Sequence, residues 1–356
     1  MLALEYADHR ADPGAWATHL GISKEAVELY LASDVIDLHV DSFIWNRVFG
    51  YDLTRRHGHG LLRARGYSQV DLPRIREAAV TGAIWVITTN PLRGPRGRAE
   101  TFSKNLAKLT SILESVPEDV TIVKTTTDYR AAKAAGKHAA WIGIQGGNAV
   151  DDVNALDRLD DRIVRVTLIH LSSSQLGTTS SPLASHDTGI SDDGRAYVEA
   201  LNAKKIFVDL AHISKKGFWG AVEAHDKSIP LICTHTGVSG VYEHWRNLDD
   251  DQLRAIADTG GTVGIMFESS FLGPSRRDAN VDWIASHIMH VVDTVGADHC
   301  SIGSDFDGAI VPPRDVPTCL ELPRIVDALL RRGATPEQVR SIFGGSYLRS
   351  LELLRG

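Results

Sequence analysis

The chain has 356 residues, of which 43% are hydrophobic and 23% charged, and its formal net charge is -7. This balance is typical of a globular protein with an ample core, and an acidic chain without a long basic run argues against a nucleic-acid partner. No stretch approaches the ~18 to 20 apolar residues of a membrane helix, and charges at Glu5, Asp8 and Arg10 lie where a signal peptide is apolar. We therefore expect a cytoplasmic protein with no membrane partner.

Eight β-prone runs alternate with helical or irregular segments along the chain. The runs are Asp34–Asp41, Gly82–Thr88, Ala139–Ile144, Ile163–Ile169, Ile206–Leu210, Pro230–Thr234, Thr262–Phe267 and His299–Ile302. The predicted helices are a first one from the cap Ser23 to Ala32, then Leu72–Ala79, Ala99–Ser115, Asp128–Gly136, Ser191–Ala203, Asp249–Asp258, Ile284–Val295, and a last pair that begins at a capping box at Thr335 and is broken at Gly344–Gly345. We expect a long loop over Trp45–Arg65.

This alternation predicts one (β/α)8 TIM barrel over residues 1–356, with an N-terminal helical extension over about 1–33 and loop insertions. An open doubly wound sheet is the alternative. It is disfavoured because no Gly-x-Gly-x-x-Gly fingerprint follows the first run.

Six of the runs carry or end in polar side chains of the metal-ligand type. They are His39 and Asp41, Gln145, His170, His212, His235 and Asp305. A single His or Asp at a strand end is more often a hydrogen-bonded rim or capping residue. Six polar strand ends that converge on one barrel mouth are much harder to explain by packing, because each would cost desolvation free energy unless it were paired.

Imidazole and carboxylate together suit zinc or a similar divalent ion, and manganese or cobalt would also be accepted. The three cysteines, Cys233, Cys300 and Cys319, are too widely spaced for a cysteine-rich metal site. A water bound to such an ion is acidic enough to supply hydroxide near neutral pH. The site chemistry therefore favours metal-assisted hydrolysis.

Several motifs resemble those of the membrane (renal) dipeptidase family of metallopeptidases, over about Asp34 to Leu354. They are Asp37-Leu38-His39-Val40-Asp41, Ile169-His170, Asp209-Leu210-Ala211-His212, Thr234-His235-Thr236, Arg246-Asn247-Leu248, Gly303-Ser304-Asp305-Phe306-Asp307-Gly308 and Gly344-Gly345-Ser346-Tyr347-Leu348-Arg349. The resemblance implies an amidohydrolase-type barrel with a two-zinc centre, a small dipeptide as substrate (L-Xaa-L-Xaa or L-Xaa-D-Xaa) and a homodimer.

The resemblance also implies a role for each site residue. It assigns His39, Asp41 and Asp305 to one metal ion, and His212 and His235 to the other. Asp305 would also shuttle the proton between the attacking water and the leaving amine. His170 would polarise the scissile carbonyl, and Arg246 would bind the substrate carboxylate as a bidentate fork.

One position departs from the family pattern in a way that changes the charge. The family has Glu-Gly-Gly at the end of the third run, and this glutamate bridges both ions, whereas this chain has Gln145-Gly146-Gly147. A neutral amide oxygen cannot share a negative charge between two cations. Because of Gln145, we therefore expect the site to bind one or two zinc ions per chain, with the second ion held loosely.

A second departure is the loop Leu171–Gly177, which lacks the asparagine expected in close relatives and bears on substrate preference. Two alternative functions stay open at this point. One is a metal-dependent hydrolase of another amide, a lactam or an ester. The other is a catalytically weakened binding paralogue, in which Gln145 replaces the bridging glutamate.

Overall fold

The computed structural model describes residues 3–60, 62–88, 94–150, 153–182 and 184–356. Nine parallel strands form its sheet. They are Ile36–Val40 (β1), Gly82–Thr88 (β2), Val120–Ile122 (β3), His138–Gln145 (β4), Ile163–Thr167 (β5), Phe207–Asp209 (β6), Ile232–Thr236 (β7), Thr262–Ile265 (β8) and Cys300–Ile302 (β9).

Eight of these strands close into a barrel in the order β1, β2, β4, β5, β6, β7, β8, β9, with β9 pairing back to β1. The remaining strand, β3, pairs only with the first half of β4 at the outer edge, as far as the described residues show. The predicted (β/α)8 barrel is therefore confirmed, and each of the eight predicted runs overlaps one barrel strand.

Helices surround the barrel. They are Pro13–Leu20 (α1), Lys24–Ala32 (α2), Phe43–Phe49 (α3), Leu72–Glu77 (α4), Pro95–Glu114 (α5), Thr126–Ala134 (α6), Asp192–Ala203 (α7), Lys215–Ala224 (α8), Asp250–Ala257 (α9), Ser269–Leu272 (α10), Val281–Val295 (α11), Pro323–Arg331 (α12), Pro336–Arg340 (α13) and Ser346–Arg355 (α14). Within the described ranges, none of these helices combines the length and apolar character needed to cross a bilayer.

The predicted helix starts at Ser23, Ser191 and Thr335 are all present, because each of these side chains accepts a hydrogen bond from a backbone N–H in the first turn. Such a bond satisfies one of the donors that a helix N-terminus leaves unpaired.

The predicted break at Gly344–Gly345 is wrong. A single π turn, Ser341–Gly345, runs directly into α14. A Cβ on Gly344 would lie 2.6 Å from the backbone oxygen of Asp34, so this glycine allows close packing and does not end the helix.

The barrel interior contains an apolar layer as well as polar groups. Ile84 of β2 faces the same space as Arg165, because a Cβ on Gly143 would lie 3.0 Å from Cγ2 of Ile84 and 2.7 Å from Nε of Arg165. Ile36 and Leu38 of β1 belong to the same apolar cluster as Ile84. The register of β1 against β2 shifts between Asp37 and Val40. Simple alternation therefore does not decide where His39 points, and its contacts with Arg165 and Asp305 place it in the interior.

Candidate metal centre

The first strand brings two ligand-type side chains to the mouth. His39 is fully buried, and its Nε2 lies 3.6 Å from Oδ2 of Asp41 and 3.6 Å from Oδ1 of Asp305. Asp41 is held on its other side by Thr88, whose hydroxyl donates to Oδ1 at 2.6 Å. The two carboxylates thus face the same imidazole nitrogen.

Asp305 and His212 both have left-handed backbone conformations, with φ of 61° and 64°. Such conformations are uncommon for residues with a side chain, although Asp and His adopt them more readily than most, and they cluster at functional sites. Gly308 makes room for Asp305, because a Cβ there would lie 2.2 Å from its Oδ1. The turn after β9 is therefore shaped around this carboxylate.

The two histidines at the ends of β6 and β7 form a close pair, with Nε2 of His212 2.8 Å from Nε2 of His235. Thr234 donates its hydroxyl proton to Asp209 at 2.7 Å, so its oxygen accepts from Nδ1 of His235 at 2.9 Å. This hydrogen bond places the proton of His235 on Nδ1 and leaves the Nε2 lone pair directed into the mouth.

The ligand atoms of His39, His235 and Asp305 all lie within 4.8 Å of one another. Burial, then the positive charge of neighbouring groups, lowers the pKa values of His212 and His235 well below normal, so both rings are neutral at pH 7. Neutral imidazole is the form that binds metal. The donor set around His235 therefore fits a divalent cation of the zinc type.

The two carboxylates of the mouth have opposite pKa shifts. Burial, together with the charge of Asp41, raises the pKa of Asp305 well above its usual value. Burial opposes ionisation of Asp41 as well, but its interaction with the His39 ring and its hydrogen bond from Thr88 hold its pKa below the normal range. A cation between the two carboxylates would relieve the repulsion that contributes to the raised pKa of Asp305.

Gln145 lies at the end of β4, beside Asp41. The Thr88 hydroxyl oxygen is 2.9 Å from Oε1 of Gln145 and 2.6 Å from Oδ1 of Asp41. The hydroxyl has one proton, so it donates to only one of these two oxygens at a time. The amide is 1% exposed and faces the mouth cavity. Gln145 therefore occupies the predicted position but brings no negative charge to it.

A cavity of about 460 Å³ opens above these residues. Its lining includes His170, whose pKa burial lowers to about 4, so the ring is neutral at pH 7. Arg246 is 4% exposed and lines a separate cavity of about 340 Å³, and its Nη2 donates to the backbone oxygen of His235 at 2.8 Å. Its Nε has no hydrogen-bond partner among the described residues.

The structure thus brings all of the predicted ligand residues and His170 to one mouth, and Arg246 is hydrogen-bonded to the backbone of His235. The individual roles given to these residues stay predictions. Sequence reasoning missed Thr88, Thr234 and Arg165. The signal for Arg165 was a charged residue inside the apolar run Ile163–Ile169, two positions before Thr167 and therefore on the same face of β5.

A model of the membrane dipeptidase family, peptidase family M19, matches residues 23–354. The chain belongs to this family. Its family match and its barrel support metal-dependent dipeptidase function. The resemblance read from the motifs is confirmed.

Three individual proteins illustrate the similarity. A Klebsiella pneumoniae relative named as an uncharacterized protein in the pqqA 5' region is 35% identical over 181 residues, which are 49% of this chain and 66% of that protein. Dipeptidase AC, a metallo peptidase of family M19, is 25% identical, with a TM-score of 0.79 over 90% of this chain and 98% of its own. A Rhodobacter sphaeroides metallo peptidase, liganded with a phosphinate mimic of the dipeptide L-Ala-D-Ala, is 23% identical, with a TM-score of 0.78 over 90% of this chain and 99% of its own.

Proposed function

We propose that this member of the membrane dipeptidase family hydrolyses small dipeptides, L-Xaa-L-Xaa or L-Xaa-D-Xaa, with zinc as its metal. The observation that carries the proposal is the convergence of neutral imidazoles and two carboxylates at the base of an open cavity. When bound there, a divalent ion polarises a carbonyl oxygen and makes water a nucleophile near neutral pH. The cytoplasmic location and the homodimer stay predictions.

In the proposed reaction Asp305 handles the proton. Its carboxyl group faces the cavity, and burial raises its pKa, so the ionised form can accept a proton from the attacking water and the resulting acid can pass that proton to the leaving amine. His170, neutral at the cavity wall, can donate a hydrogen bond to the scissile carbonyl oxygen.

Arg246 is the candidate for recognition of the substrate's carboxylate. It is a buried cation, and its Nε has no hydrogen-bond partner within the described part of the chain. A guanidinium with a free donor is well suited to a carboxylate. We therefore expect the enzyme to require a free C-terminus.

The cavity wall supports a preference for an apolar side chain on the substrate. Ile44, Trp45 and Val48 of α3 and Leu171 contribute apolar surface opposite the polar base. Pockets that combine an apolar wall with a few fixed polar groups bind small molecules in one orientation. A dipeptide can place its backbone on the polar base and its side chain on this wall.

A panel of substrates tests the proposal. The purified protein, loaded with zinc, is assayed against dipeptides, their C-terminal amides, cyclic amides and esters. We expect hydrolysis of free dipeptides and little of the amides. Hydrolysis of a cyclic amide or an ester, with none of any dipeptide, would contradict the proposal.

Changing Arg246 to Ala should raise KM sharply for free dipeptides, since a charge-assisted hydrogen bond is lost. The variant Arg276→Ala, on the loop after α10, is the matched control. Equal cleavage of dipeptides and their amides by the unchanged enzyme would rule out this role for Arg246.

A further inference from the structure

The two histidines whose rings lie side by side at the mouth, His39 and His235, have opposite partners at Nδ1. Nδ1 of His235 meets an oxygen, that of Thr234. Nδ1 of His39 meets a guanidinium nitrogen, Nη2 of Arg165, at 2.7 Å. A guanidinium can only donate, so Nδ1 of His39 must accept.

A neutral imidazole that accepts at Nδ1 carries its proton on Nε2. Nε2 of His39 points between Asp41 and Asp305, 3.6 Å from an oxygen of each. Its N–H therefore lies between two carboxylates, and no lone pair is left there for a cation. Its position alone would make His39 a metal ligand, but the hydrogen bond from Arg165 leaves it without a lone pair that could bind the ion.

Arg165 is firmly fixed in this position. It is fully buried, and Nη1 contacts Oδ2 of Asp209 at 3.0 Å and also donates to the Thr167 hydroxyl. Gly143 on the neighbouring strand provides the space, because a Cβ there would lie 2.7 Å from Nε of Arg165. The guanidinium is thus built into the barrel interior and has little freedom to turn away from His39.

We propose that Arg165 takes His39 out of the ligand set, so that the centre binds one divalent ion tightly, on the side of His212 and His235. Arg165 is a positioning residue in this scheme, since it acts through the tautomer of His39. The proposal rests on the proposed metal-dependent function. It specifies which of the two metal positions implied by the family resemblance holds the ion.

Zinc content after exhaustive dialysis, measured by mass spectrometry on the full chain, tests the proposal. The unchanged protein should retain one equivalent. The variant His39→Asn should retain that equivalent, and His235→Asn should lose it. Two retained equivalents in the unchanged protein, or loss of zinc from His39→Asn, would overturn the proposal. Circular dichroism verifies that both variants are folded.

A gain-of-binding variant provides the second arm. Arg165→Met combined with Gln145→Glu removes the guanidinium and restores a carboxylate, so it should retain a second equivalent. Arg162→Met, at a half-exposed arginine paired with Asp160, is the matched control and should retain one. A folded double variant that still holds only one equivalent would contradict the role of Arg165.

The two hypotheses fail separately, because zinc content is measured without substrate. A protein that holds one ion but cleaves no dipeptide would refute the proposed function and leave the inference standing. A protein that cleaves dipeptides with two firmly held ions would do the reverse.

Discussion

The two sides of the barrel mouth contain the same residue types but differ in what holds them. On the side of β7, Thr234 accepts from His235 and leaves its Nε2 lone pair free for a cation. On the side of β1, Arg165 donates to His39 and forces the proton onto the nitrogen that faces the carboxylates. Residues behind the ligands therefore decide which of two similar imidazoles can hold an ion.

The largest effect is expected for Asp305→Asn. Asp305 supplies the carboxylate of the group formed with His39 and His235 and carries the proposed proton transfer, so kcat should fall by about 10²- to 10⁴-fold. The measurement is the steady-state rate on a free dipeptide, with the thermal midpoint recorded in parallel.

The neighbouring variant Asp307→Asn is its control. Asp307 accepts hydrogen bonds from the Ser42 hydroxyl and the backbone N–H groups of Gln69 and Val70, so its change should destabilise the fold by about 1–3 kcal/mol. An Asp305→Asn enzyme with undiminished turnover would show that this carboxylate takes no part in the chemistry.

The next effect in size is expected for Thr234→Val, which keeps the shape of the side chain but removes the oxygen that holds His235 in its tautomer. Zinc affinity should fall by about 10- to 100-fold. The control is Thr262→Val, at a buried hydroxyl on β8 that contacts Ser301. Competition with a chromophoric chelator measures both. Equal zinc affinities of the two variants would mean that Thr234 does not hold His235 in the tautomer that binds zinc.

Removal of the metal should lower the thermal midpoint. An ion at 100 times its dissociation constant stabilises the folded state by about 2.7 kcal/mol, provided that it does not bind the unfolded chain. Adding zinc back to the chelated protein should restore the whole shift at one equivalent. Recovery that continues to two equivalents would indicate that the β1 side also binds firmly.

The smallest effect is expected for Leu171→Ser at the cavity rim. Leu171 is 54% exposed, so it covers only part of a substrate side chain, and kcat/KM for dipeptides with a bulky apolar residue should fall by about two- to tenfold. Leu353→Ser, at a similarly exposed leucine on α14, should leave kcat/KM unchanged. An equal loss of kcat/KM for Ala-Ala and for bulkier dipeptides would mean that Leu171 does not contribute to the preference for apolar side chains.

The barrel and most of the site could be predicted because local patterns report them. A buried parallel strand is a short apolar run, and a polar residue at its end is visible in the sequence. His212, His235 and Asp305 follow such a run, and His39 lies inside one. The barrel then brings them together without any further information.

Helix α3 could not be predicted in the same way. The predicted loop over Trp45–Arg65 begins inside α3, so this part of the prediction is wrong. The helix has seven residues, lacks a side-chain cap, and among them only Phe43 is buried. It therefore shows no amphipathic period and depends on contacts at the mouth, such as the bond from the Trp45 indole to the backbone oxygen of Asp307.

The partner of His39 is invisible in the sequence for a different reason. Arg165 and His39 are 126 positions apart, and their contact crosses the barrel interior. A sequence pattern shows that a charged residue interrupts β5. It does not show which ring nitrogen this residue meets, and that nitrogen decides whether His39 can bind an ion.

The most direct test is anomalous diffraction from crystals of the zinc-loaded protein, recorded on both sides of the zinc edge. We expect one strong peak within ligand distance of Nε2 of His235 and none within ligand distance of Nε2 of His39, with Arg165 still bound to Nδ1 of His39. Two peaks of equal height, one of them bound to His39 and Asp41, would contradict this expectation.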